Sequence, residues 1–340
     1  MSLSVKITAS QFVMIERAEI LAQSLMNDFL NPFKLILTGI GLSFSLAQSA
    51  VVEWDNSGGD NDFNSGTNWV GNSFPGGGDE AHVDFGAGNR AIVSSAATNF
   101  KSLRVGTSGA GELEIVTGGV LRATTSGTVS RIGLGAGNVG TLTQNGGEAY
   151  FGHNLQIGIG GTGIYFLNGG DLKVARGYLG IGQSGGTGEL VVAGGSLTTR
   201  TGVELDSRGT VLIEGSGASE IGIGSEGSLD GYWLQKSGGR FALEIDAVGV
   251  AKVFVDDTDG DGTGGDVTFE NGALLDVGFL TGLDLAGSWD VMTWEGDLAD
   301  NGLAFAPSVD VAKWSFEFAD TDGFNGVDTL RVTSASGSSP

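Results

Sequence analysis

Between residues 111 and 199 the chain repeats one short grammar four times: a glycine, a run of alternating side chains, then a glycine pair. The segments read GELEIVTGGVLRA from Gly111, GTLTQNGGEAYF from Gly140, GIYFLNGGDLKV from Gly163 and GELVVAGGSLTT from Gly188. The pairs begin at Gly118, Gly146, Gly169 and Gly194, so one unit occupies about 23 to 28 residues. An apolar–glycine element precedes each run: RVGTSGAG at Arg104, IGLGAGNVG at Ile132, IGIGGTG at Ile157 and LGIGQSGGTG at Leu179. Weaker copies follow as GTVLIEGSG from Gly209 and IGIGSEGSL from Ile221. Such a period marks stacked units, none of which can bury its apolar side alone.

Two geometries absorb a unit of two or three short strands: a hairpin array, or a parallel β-helix in which each unit winds once. The side chains after each glycine pair favour the β-helix. Two places on stand Leu121, Ala149, Leu172 and Leu197, all apolar, while Val120/Arg122, Glu148/Tyr150, Asp171/Lys173 and Ser196/Thr198 flank them. A period of two then turns the first set inward and the second outward. Leu142, Tyr165 and Leu190 form a second inward row. Stacked coils place like residues about 4.8 Å apart. Composition agrees: of 62 glycines, 60 follow residue 50, a load that excludes long helices, because each interior glycine costs about 1 kcal/mol relative to alanine. Collagen is excluded by the missing Gly-X-Y period, and disorder by the 40% hydrophobic content.

The expected fold is an all-β, right-handed, single-stranded parallel β-helix with an N-terminal cap and an acidic β-rich C-terminal cap. Residues 101–230 carry the repeats, as about five or six coils. Residues 51–100 form the N-terminal cap and first strands, with Trp54, Trp69 and Phe74. Residues 231–333 form the C-terminal cap, with Trp233, Trp289, Trp294 and Trp314, and 334–340 a tail. Aromatic plugs at both ends would shield open sheet edges. Residues 1–50 read as a signal peptide with an upstream extension: Lys34 precedes an apolar stretch from Leu35 to Leu46, and cleavage after Ala47 or Ser49 suits a signal peptidase. That stretch is too short for a membrane span, so no transmembrane span is expected in the mature chain, and translation is expected to start at Met26. The expected location is secreted or at the bacterial cell surface.

The formal charge is −23, and residues 241–330 set only Lys252 and Lys313 against their acids, a field that repels phosphate and excludes nucleic acid as a partner. There is no cysteine, hence no disulfide and no thiolate.

The opening Trp54…Asn68-Trp69…Pro75-Gly76…Asp79…Val83-Asp84-Phe85, followed by units of the form L-x-V/I-G-x-x-G-x-G-x-L-x-x-x-G-G-x-L, resembles the passenger-type β-strand repeats of autotransporter-like secreted bacterial proteins. The resemblance covers roughly 51–230. It implies a right-handed parallel β-helix outside the cell, acting in surface adhesion or as a scaffold. The chain departs from that pattern in lacking a C-terminal run of amphipathic strands for an outer-membrane barrel.

Three features carry candidate chemistry. Asp257, Asp259 and Asp261, with Gly262, then Asp266, put oxygens at alternate places around a tight turn, as calcium prefers; the plainer reading is a solvated hairpin tip between AKVFV and DVTFE. A weaker acidic loop comprises Asp320, Asp322 and Asp328. Stacked coils would also gather Glu148, Tyr150, Asp171, Lys173 and Arg176, with Arg122 one coil earlier, as an acid–base site of a polysaccharide lyase or glycoside hydrolase. A solvated salt-bridge ladder, worth about 0–1 kcal/mol per pair, is the preferred reading. His82 and His153 lack the neighbours of a zinc site and read as capping or surface residues. The glycine strings such as GIGGTGIY lack a following helix and a P-loop lysine. The expected function is therefore a non-catalytic secreted or cell-surface protein, structural or adhesive, that binds a polysaccharide or cell-surface partner along the solenoid side. A carbohydrate-active enzyme is the alternative.

Overall fold

The structure is a computed structural model that describes residues 49–85, 89–97, 99–224, 231–256, 264–320 and 328–335. These residues wind into a parallel β-helix with three faces. The first face is a ten-stranded sheet running from Val51–Glu53 to Leu298–Asp300, and its strands pair in parallel throughout. The second face starts at Ala91–Val93 and ends at Ala304–Phe305. The third leads from Val120–Ala123 to Gly287–Trp294. Two long strands, Val139–Phe151 and Thr162–Val174, bend round a corner and give one half to each of these two faces.

The inward rows are continuous. On the third face Leu121, Ala149, Leu172, Leu197, Ile221, Val253 and Met292 are successive register partners. On the second face Leu113, Leu142, Tyr165, Leu190, Val211, Phe241 and Leu275 are. All of these side chains are buried, so the hydrophobic term, about 25 cal/mol per Å² of apolar area, is spread evenly along the axis. Tyr165 is the polar exception in its row, and its hydroxyl donates to Gln144 Oε1 at 2.6 Å.

Corner glycines explain why the repeat is written in that residue. Gly133 has φ +73°, and a Cβ there would meet the backbone of Thr162 and Gly163 in the next coil. An L side chain is therefore strained in conformation and lacks room.

Parallel pairing runs past 101–230 in both directions, to Val51 and to Phe305. At the N-terminal end Trp54, Phe63, Trp69, Phe74 and Phe100 pack edge-to-face and tilted, with the Trp69 indole donating to the Phe63 carbonyl at 2.8 Å. At the other end the direction changes. Thr329–Ser334 pairs antiparallel with both Gly287–Trp294 and Trp314–Ala319, and Phe279, Trp289 and Trp314 close over that end as one aromatic cluster.

Candidate functional site

The outward residues of the third face stack in the expected order. Val120, Glu148, Asp171 and Ser196 are successive partners, and so are Arg122, Tyr150, Lys173 and Thr198. Arg122 binds Glu148 at 2.8 Å, and its guanidinium lies 5.7 Å from the centre of the Tyr150 ring. Asp171 accepts the Ser196 hydroxyl at 2.5 Å. Each carboxylate thus already holds a donor from a neighbouring coil. Arg176 lies past the strand end, exposed in the corner before Tyr178–Ile181.

For the acidic loop the picture is partial. Asp257, Asp259 and Asp261 fall outside the described residues, as does Asp322. Asp266 begins the strand Asp266–Phe269, where its Oδ1 accepts the Asp297 amide at 2.8 Å. Among the described residues no three acidic, histidine or cysteine side chains converge as metal ligands. The reading of AKVFV and DVTFE as a hairpin pair is corrected: Val253–Val255 pairs on the third face and Asp266–Phe269 on the first, so the two strands are not partners.

The first face carries a polar track that sequence reasoning missed. It crosses seven adjacent strands, from Glu80–Val83 to Tyr232–Gln235. At its start Glu80 accepts Lys101 at 3.2 Å and Arg104 at 2.9 Å, with His82 at 3.5 Å. Burial alone would raise the Glu80 carboxyl, but the Arg104 charge, with Lys101 and His82, outweighs it and the group ends below the usual range. One coil on, Arg131 Nε donates to Gln156 at 3.1 Å. Gln156 then donates to Tyr178 at 3.3 Å and to Gln183 at 2.7 Å. Gln183 reaches Glu204 at 3.2 Å, and Glu204 accepts the Tyr232 hydroxyl at 2.9 Å. Burial and the Glu204 carboxylate push the Tyr232 phenol up.

Two glycines make room for this track. A Cβ on Gly180 would lie 2.7 Å from the Gln183 amide, and one on Gly202 the same distance from the Tyr232 ring. The sequence signal was the residue before V/I-G, which reads Arg104, Arg131 and Gln156 in adjacent units and faces outward in each. Among the described residues no helix is long and apolar enough to cross a membrane. Comparison with family models, with curated proteins and with solved structures finds no match to this chain.

Proposed function

We propose that this protein is an exported, non-catalytic surface or matrix component of the autotransporter-passenger kind, which binds a glycan along its side. One observation carries the reading: the polar track of the first face. Six steps between its seven strands give it a length of about 29 Å. Amides, guanidinium groups and two tyrosines follow one another along it, offering both donors and acceptors and rings with an apolar body and a polar tip. An extended sugar polymer presents the complementary pattern of hydroxyls and flat apolar faces.

The carboxylates of the third face support the non-catalytic side of the reading. Glu148 is held by Arg122 and Asp171 by Ser196, which suits a structural ladder better than a proton-transfer pair. The test is incubation of the full chain with neutral and acidic polysaccharides. The expected result is retention without new reducing ends or unsaturated products. Product formation abolished by Glu148→Gln or Lys173→Ala would replace this reading with a lyase or hydrolase.

A further inference from the structure

The reading above names no particular glycan, and one end of the track narrows the choice. Resting on that reading, we infer that Lys101, Arg104 and Arg131 form a subsite for the carboxylates of an acidic polysaccharide, one whose uronate groups are spaced among neutral hydroxyls.

Arg104 and Arg131 are register partners on adjacent strands, which stacks like charges about one coil spacing, 4.8 Å, apart. Like charges directly opposite are unfavourable in a sheet, and this chain elsewhere sets arginine against carboxylate, as in Arg90–Glu114, Arg122–Glu148 and Arg331–Asp290. Here the compensation is incomplete. Glu80 serves Lys101, Arg104 and His82 together. Arg131 forms no ion pair among the described residues; its hydrogen-bond partner is the neutral Gln156. Arg104 Nε is buried without a partner. Lys101, Arg104 and Arg131 thus set three cations around the one carboxylate of Glu80. The next residue along this row towards the N-terminus is Glu53, opposite His82, and the undescribed residues nearest in sequence, 86–88 and 98, are uncharged.

The acid-rich segment 241–330 does not cancel this local field. Its first coil lies four strands beyond Arg131, about 19 Å along the axis, against a Debye length of about 8 Å at physiological salt. A guanidinium binds a carboxylate through paired, charge-assisted hydrogen bonds. Further along, Glu204 stands among neutral side chains, so a polymer charged at every residue, such as a nucleic acid, would meet repulsion where a polymer of spaced uronates would not.

The test measures binding of the full chain to hyaluronan, whose uronates alternate with neutral sugars, and to dextran sulfate, neutral dextran and single-stranded DNA, at low and high salt. The expected result is strongest binding to hyaluronan, weakened by salt. Arg131→Gln should reduce it about tenfold, a larger loss than for neutral dextran, with Arg131→Lys retaining most of it. Circular dichroism confirms that the variants fold. Equal binding by Arg131→Gln overturns the inference, as does tighter binding of DNA, or of dextran sulfate. A neutral glycan bound as tightly as hyaluronan overturns the inference while leaving the broader glycan reading intact. Binding of none of the saccharides overturns both.

Discussion

Gly133→Ala, set beside Gly137→Ala, isolates what the corner glycines do. Both residues have left-handed backbone, φ +73° and +82°, and both belong to the same turn. A Cβ at Gly137 would meet nothing within 4 Å, so its substitution costs only the conformational penalty, about 1–2 kcal/mol. A Cβ at Gly133 would come within 2.5 Å of Gly163 N and closer still to the Thr162 carbonyl, all of it backbone that no rotamer can move. Relief requires the next coil to back away. That strains the Thr162 N–Asn138 O and Gly135 N–Ile159 O bonds, now 2.9 and 2.8 Å, at about 1 kcal/mol each. The expected loss is therefore about 3–4 kcal/mol for Gly133→Ala and about 1–2 for Gly137→Ala. Urea unfolding followed by far-ultraviolet circular dichroism measures both. Because a solenoid's stability is a sum over units, two variants in one coil weaken the same unit and their difference stays interpretable. Equal losses would refute the argument that stacked backbone excludes a side chain at these corners.

Other expectations follow from the interior and from one loop. Leu172→Ala empties a buried place between Ala149 and Leu197; with an alanine already beside it the site collapses poorly, and the expected loss is about 4 kcal/mol, a loss below 1 in the same urea assay counting against the inward row. Tyr165→Phe leaves Gln144 Oε1 without the hydroxyl now 2.6 Å away, for an expected loss of about 1–3 kcal/mol. Asp246 accepts the amides of Ser216, Val248 and Gly249 and the Ser216 hydroxyl. The Ser216 amide, joined by the other donors and opposed by burial, depresses its carboxyl to about 2 from 3.8. A depressed pKa means stability that is complete above the unfolded value and is lost as pH falls through the folded one. The stability gap between wild type and Asp246→Asn should thus be widest above pH 4 and close towards pH 2; a gap independent of pH would refute the loop's anchoring by charge.

The repeat was legible where corners keep their length. Leu121, Ala149, Leu172 and Leu197 align by counting from each glycine pair, and the structure stacks them. Beyond residue 230 the counting fails, although the winding does not: Val211, Phe241, Leu275 and Phe305 still follow one another inward. The number of residues from one strand to its partner in the next coil is no longer constant there, while burial preserves the register. Val253–Val255 and Asp266–Phe269 read as a hairpin for a related reason: two strands in succession look alike in sequence whether they pair with each other or lie on different faces, as these do.

A solenoid also decides where function can be written. Inward positions are bound to apolar residues by the core, and corner positions to glycine by the approach of the next backbone. The outward place before V/I-G is held by neither constraint, and along the first face the chain puts Arg104, Arg131 and Gln156 there, with Glu204 in register one coil beyond Gly180. Read within a single unit, that variety resembles noise. Stacking converts it into a row of charges and amides at coil spacing, and Gly180 lets Gln183 lie across the strand to bridge the gap where no side chain stands. The polar track was therefore present in the sequence as a column, and it takes shape only when the register sets its members side by side.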